Sequence, residues 1–339
     1  MKKILKSVCM IAVIALAFTS CKKNDQEQVG IRITGATEAF VDAPSEDRAY
    51  VLSTGGDTQF EKDDQIMVYN VNIEESTRTN YGIYWTKNAG HDVPWRYSSG
   101  TVVNHTNLED LFLAFYPAEI VNNGRLWDGQ NEAMFELVDH QTYRKLGGKV
   151  VAPKLTLAMA GKEDIANIVD EIYIQFRNIM GIMSINMKSA SSKTVESIVY
   201  EDNMFNVTGR VHLKLHEVDP DVLLDLLNNY NPNDPTYLAS LNEYIQRSGY
   251  YVDDANVAMK GKTITLDCGD GVQLNPNTAQ SFIITLRPLA AFGGYKLTVN
   301  FTDGTHALID ASAYTGLNQM IKPNTRKPVD ISNIDNYIQ

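Results

Sequence analysis

Apolar and polar residues alternate with a period of two along most of this chain. Val29, Ile31 and Ile33 alternate with Gly30, Arg32 and Thr34. Leu111, Leu113 and Phe115 share a face, as do Phe282, Ile284 and Leu286. The clearest run sets Tyr295, Leu297, Val299 and Phe301 against Lys296, Thr298 and Asn300, and it ends in TDGT (302–305), whose Asp-Gly predicts a hairpin. Residues 172–176 and 179–187 predict further strands on either side of Arg177 and Asn178. Many short strands separated by Gly, Asn and Asp predict sandwiches of antiparallel sheet.

One stretch breaks the alternation. In VDPDVLLDLLNNY, Val222, Leu223, Leu226, Leu227 and Tyr230 recur at helical spacing behind Asp219 and Pro220. Asp234 and Pro235 open a second such stripe of Tyr237, Leu238, Leu241, Tyr244 and Ile245, and Gly249 follows its end. Residues 219–249 are therefore expected to form a helical hairpin inserted in a β protein, either covering an open end of a sandwich or serving as a binding accessory. The small polar run 188–193 is expected to link two strand-rich regions, and 339 residues suffice for two domains.

The first residues change the picture of where the chain works. Lys2, Lys3 and Lys6 precede an uncharged run, 8–18, too short to cross a hydrocarbon core as a helix, so residues 1–20 read as a secretory signal. Cys21, after small Thr19 and Ser20 and before Lys22 and Lys23, resembles the lipidated cysteine of a bacterial lipoprotein; the other reading is an ordinary signal in which Cys21 is incidental. Acyl chains contribute about 0.8 kcal/mol per buried methylene, and two or three of them hold a protein stably at a membrane. Cys9 leaves with the signal, which deprives Cys268 of any internal disulfide partner. Without the three lysines of residues 1–20 the chain carries 27 basic against 41 acidic residues, a net charge of −14. That balance argues against nucleic acid as a partner and against a basic face for anionic lipid.

Candidate chemistry is sparse. Gly261-Lys262-Thr263 lacks the earlier glycine of a phosphate loop, since Asn256 stands at that place, and 262–266 reads as a strand. His212 and His216 are four apart, but they alternate with Val211, Leu213 and Leu215 on a strand, with Lys214 between them, which is poor zinc chemistry. Asp267-Cys268-Gly269-Asp270-Gly271 lacks the acidic density of a calcium loop and predicts a tight turn. No Gly-x-Ser-x-Gly occurs, and the partners of a glycosidase acid pair are too distant in a chain for spacing to reveal them. Trp85, Trp95 and Trp127, with Tyr81, Tyr84 and Tyr97, either stack on sugar rings or fill a core. No catalytic residue, metal site or cofactor is expected.

Several stretches resemble the fimbrillins, the subunits of type V pili of Bacteroidales and their relatives. They are KDDQIMVY (62–69), WRYSSGTVV (95–103) with DLFLAFYPA (110–118), APKLTLAMAG (152–161), IQFRNIMGIMSINM (174–187), FIITLRPLAAFGGYKLTVNFTDG (282–304) and IKPNTRKPVDI (321–331). The resemblance implies an all-β protein of two tandem transthyretin-like β-sandwich domains, here with the helical hairpin in the second. It also implies an outer-membrane lipoprotein precursor, bound for the fimbrium on the cell surface, from which an arginine-specific protease removes the N-terminal strand. A strand of a neighbouring pilus subunit then fills the groove.

The residues supply matching parts. TEAFVDAPSEDRAYV (37–51) is acidic, contains Pro44 and reads as an exposed loop, so Arg48-Ala49 is the expected cut. Arg32 is the competing arginine but lies inside the strand. Cleavage at Arg48 would release Val29, Ile31 and Ile33 together with Cys21. Near the C-terminus Val329 and Ile331 alternate with Asp330 before the phase shifts at Ile334 and Ile338, so 326–339 is the expected donor. The expected organisation is a signal at 1–20, a lipidated segment with a removable strand at 21–48, an N-terminal sandwich at 49–188 and a C-terminal sandwich at 189–339. The expected partners are other pilus subunits, the protease, the membrane through the lipid, and a host or microbial surface ligand. The alternatives are a glycan-binding surface lipoprotein that never polymerises, and an anchor subunit that keeps its lipid.

Overall fold

A computed structural model describes residues 31–37, 41–42, 59–70, 81–104, 110–118, 132–146, 148–153, 159–165, 170–214, 259–316, 319–321 and 324–339. The first strands are β1 (Arg32–Thr37), β2 (Val41–Asp42), β3 (Gln65–Asn70), β4 (Gly82–Thr86), β5 (Asp92–Gly100) and β6 (Asp110–Tyr116). There follow β7 (Glu132–Leu137), β8 (His140–Thr142), β9 (Arg144–Leu146), β10 (Lys149–Val151), β11 (Met159–Ile165) and β12 (Glu171–Asn178). Seven of these close into a barrel in the order β1-β12-β11-β6-β3-β4-β5. Its interior holds Ile33, Ile66, Trp95, Phe112, Ile174 and Phe176.

The remaining strands are β13 (Gly181–Met187), β14 (Thr194–Asp202), β15 (Thr208–Lys214), β16 (Met259–Gly261), β17 (Thr263–Gln273), β18 (Gln280–Leu286), β19 (Tyr295–Phe301), β20 (His306–Asp310) and β21 (Thr325–Ile331). With β2 and β8, strands β13, β14 and β17 to β21 build a sandwich from one sheet ordered β18-β13-β21-β2 and another ordered β20-β19-β14-β17-β8, around a single core, while β15 and β16 form a separate sheet with β7. The alternation of Tyr295, Leu297, Val299 and Phe301 points into that core, as does that of Phe282, Ile284 and Leu286. Asp303-Gly304 turns β19 into β20, with Gly304 at φ 81° and a bond from the Phe301 N–H to the Thr305 carbonyl. Free Cys268 faces inward from β17, where burial pushes its thiol up to about 12.

The expectation of two tandem transthyretin-like sandwiches with a helical hairpin insert is corrected. The N-terminal sheet closes on itself instead of forming two facing layers. The helix that lies wholly within the described residues is a 3₁₀ turn, Ile334–Tyr337, and 219–249 lies outside them. The barrel hands over to the sandwich between Asn178 and Gly181, and 188–193 joins β13 to β14. The barrel's own chain also crosses over: between β6 and β11, β7 pairs with β15 and β8 pairs with β17. The Gln141 amide donates to the Thr285 carbonyl at 2.8 Å and accepts from its N–H at 2.9 Å, bonding β8 to β18 across the sandwich.

Lys327 lies on the same side of β21 as Val329 and Ile331, and burial pushes its ammonium down to about 8. An unfolded lysine titrates near 10.5, so between those values the unfolded chain holds a proton that the folded one has released. The cost of the buried charge is complete below pH 8 and relieved as pH rises toward 10.5. Cys268 acts in the opposite sense above pH 9, and Tyr84 and Tyr295, which burial pushes up to about 12, do so above pH 10. The urea midpoint should therefore rise from pH 8 to pH 9, level off as Cys268 offsets Lys327, and fall beyond pH 10, and Lys327→Met should flatten the rise. A wild-type midpoint that falls throughout, or a variant with the same slope, would contradict this.

Candidate functional site

The N-terminal ribbon, 31–42, occupies a place in both units. In the barrel, β1 runs parallel to β12, from Arg32 opposite Glu171 to Thr37 opposite Phe176, and antiparallel to β5, with Ile33 opposite Trp95 and Gly35 opposite Val93. Backbone bonds continue past both ends of the ladder, from the Ile31 N–H to the Val103 carbonyl, from Arg32 to Asp170 and from Thr37 to His91. Ile31, Ile33, Gly35 and Thr37 face inward and Arg32 outward, as period two requires. Ile31 and Ile33 are 6% and 1% exposed in the barrel core. Burying them contributes roughly 1.5–3 kcal/mol each.

The next strand lies in the other unit. β2 pairs in parallel with β21, Val41 opposite Thr325 and Asp42 opposite Arg326, and forms the edge of the sandwich sheet. Without the ribbon, β5 and β12 would become free edges flanking a slot lined by Val93, Trp95, Ile172, Ile174 and Phe176, and β21 would become the edge of its own sheet. Unpaired edges beside an apolar slot recruit strands.

The other expected site residues fall as follows. Cys21, Val29, Arg48 and Ala49 lie outside the described residues, as do Trp127 and His216. Val329 and Ile331 belong to β21, which pairs in parallel with β13. Ile334 is fully buried in the sandwich core, and Ile338 bridges to Ala307. The turn holding Ile334 is fastened to 188–193: Ser189 Oγ donates to Asp335 Oδ1 at 2.7 Å and the Ser191 N–H to Oδ2 at 2.8 Å. Partial burial pushes the Asp335 carboxyl up, but these bonds outweigh it and hold it below the usual range. The expected donor is thus seated in its own subunit.

Trp95 and Tyr84 are buried and Trp85 half-buried, so two of the aromatics offered for sugar stacking fill the barrel instead. Phe60 meets Trp95, Tyr116 and Phe176 edge to face, with centroids 4.8–5.4 Å apart. His212 lies on β15, and Asp267 to Gly271 lie within β17, where the Asp267 carboxylate accepts the Gly269 N–H. Among the described residues no three His, Cys, Asp or Glu side chains come together as metal ligands. Alternation in GIRITGAT revealed β1. The hold of β2 on β21 and the close fit at Gly35 left no sequence signal beyond a glycine inside an alternating run.

Over the described residues, fold and ribbon together define an all-β arrangement of a closed barrel and a sandwich, with one N-terminal segment contributing a strand to each. The same fold occurs in a candidate cell adhesion protein of Bacteroides ovatus, 12% identical over 93% of this chain and 95% of that one, with a TM-score of 0.51. A candidate cell adhesion protein of Bacteroides uniformis is likewise 12% identical, over 94% and 96%, with a TM-score of 0.51. No family model matches the chain, and no curated protein matches it. At 12% identity these likenesses establish the fold.

Proposed function

We propose that this chain is a structural subunit, stalk or tip, of a cell-surface pilus. It is exported as a lipoprotein held at the outer membrane through Cys21, freed by cleavage between Arg48 and Ala49, and polymerised by strand exchange. The observation that carries this reading is the ribbon: 31–42 completes the barrel and edges the sandwich sheet, and it continues into the acidic segment that contains Arg48. One cut there would separate β1 and β2 from the body together. The fold shared with candidate cell adhesion proteins of Bacteroides supports it, as does the resemblance to fimbrillins.

In this reading the chain has no catalytic residues or cofactor, and its partners are other pilus subunits, the arginine-specific protease and a surface ligand. The donor is 326–339. Donation removes Ile331 and Ile334 from the home core, so it follows the release of β2, which turns β21 from an inner strand into an edge. The order of events is therefore cut, loss of the ribbon, then exchange.

The test is limited digestion of residues 22–339 with an arginine-specific protease, followed by intact mass, sizing and tryptophan emission. The expected result is one early product beginning at Ala49, a red shift as the slot beside Trp95 opens, and oligomers. Resistance at Arg48, or a cut product that stays monomeric, would overturn the reading.

A further inference from the structure

We propose that the slot vacated by β1 selects a strand of the pattern apolar-x-apolar-x-Gly from a different polypeptide, and rejects the C-terminal segment of a second copy of this chain. This rests on the strand-exchange reading and names the partner's chemistry. The third inward place of β1 is Gly35. A Cβ added there would stand 2.9 Å from the Ile174 carbonyl oxygen and 2.9 Å from Phe176 Cε2, inside contact distance of both.

Neither neighbour has room to withdraw. Ile174 is in β12, and β11 presses on that strand from its other side through a second glycine: a Cβ on Gly161 would meet Ile174 Cγ2 at 2.5 Å and the Gln175 carbonyl at 2.8 Å. β12 is thus hemmed between two glycine contacts, and moving it away from β1 drives it into β11. Phe176 is packed against Phe60, with ring centroids 5.4 Å apart, and tilted on Trp95 at 6.3 Å. Two apolar side chains fill the places of Ile31 and Ile33, and the next inward place admits no side chain.

The C-terminal segment of this chain does not meet that demand. Within 325–339 two apolar residues stand two apart only at Val329 and Ile331, and the residue that follows in phase is Asn333. In the direction and register of β1, Asn333 would be driven against the Ile174 carbonyl. The slot therefore takes a foreign strand, and the polymer around this subunit is heteromeric.

The test uses the chain 22–339, cut at Arg48, with the protease then inhibited. Fluorescein-labelled peptides are titrated against it and followed by anisotropy: 28–40, the same with Gly35→Val, 325–339, and the same with Asn333→Gly. Peptide 28–40 should bind at least tenfold more tightly than its Gly35→Val form and than 325–339, and Asn333→Gly should recover most of the difference. Equal binding of the Gly35→Val peptide, or binding of 325–339 as tight as that of 28–40, would overturn the proposal while leaving strand exchange standing. In the uncut chain, Gly35→Val should lower the thermal midpoint and expose Arg32 to the protease, and an unchanged midpoint would also overturn it. No cut at Arg48, or no binding of any peptide, would overturn strand exchange itself and the partner with it.

Discussion

Ile33→Ala should destabilise the chain by about 3 kcal/mol, within the 2–5 kcal/mol usual for a buried Ile cut to Ala. Ile33 is 1% exposed, with Trp95 opposite it on one side and Ile172 on the other. Its loss leaves a void between Trp95 and Ile172, whose side chains lose packing partners there. If β1 opens apart from the rest of the barrel, the population with β1 unseated should rise by about a hundredfold, at 1.4 kcal/mol per tenfold. Arg32, now protected by its ladder with Glu171 and its bond to Asp170, reports this directly. Cleavage at Arg32 should accelerate by the same factor in the variant. A loss of global stability with no change at Arg32 would mean that β1 opens only when the whole barrel unfolds, which is incompatible with removal of one strand.

Asp202→Asn should cost about 3 kcal/mol or more, an estimate from the 1.5–3 kcal/mol typical of each hydrogen bond to a charged group, less the cost of burying the charge. Asp202 ends β14, 1% exposed, and its carboxylate is saturated. Oδ2 accepts from Tyr200 Oη at 2.6 Å and the Ala291 N–H at 2.7 Å, while Oδ1 accepts from Met204 at 2.9 Å and Phe205 at 2.7 Å. An amide can present only one acceptor, so one pair of donors would face an NH₂ whichever way the group is turned. The loop it holds contains Leu289 at φ 74° and Ala291 at φ 66°, a left-handed region costly for side chains other than glycine's. Asp202 offsets that strain from outside the loop. The check is a urea titration at pH 7; a shift under about 0.5 kcal/mol, the size of a surface substitution, would show that the loop holds itself.

The strands that carry a clean alternation were legible because one of their faces is wet. β1, β12, β19 and the Asp303-Gly304 hairpin follow directly from it, whereas β18 is buried on both faces from Phe282 to Leu286. Leu113 and Phe115 share a face, as their alternation predicts. The barrel interior, however, takes the opposite set of β6, Phe112, Ala114 and Tyr116, while Leu113 and Phe115 are buried outside it. With both faces buried, polarity no longer marks the inner one. Barrel closure was missed for a related reason: a strand's pattern records which side is apolar, and an open sheet and a closed one read alike. Arg48 and Cys21 rest on the character of the segments around them and on the resemblances to a lipoprotein signal and to fimbrillins, and both lie outside the described residues.

The sequence by itself determined the period, the dominance of strands, the burial of Ile31 and Ile33 and the turn at Asp303-Gly304, because these depend on neighbours a few places apart; the tight turn expected at Asp267 to Gly271 is instead part of β17. Only the tertiary structure decided that β1 closes a barrel against a strand some 140 residues later in the chain, that β2 edges the other unit, and that 132–142 leaves the first unit for the second. Strands of two or three residues such as β2 and β8 carry too few side chains to encode a partner. Their pairing is set by the edges that the larger sheets leave open and by single side chains such as Gln141. The demand for glycine at position 35 has the same origin: it comes from the distance between two strands, which no local pattern contains.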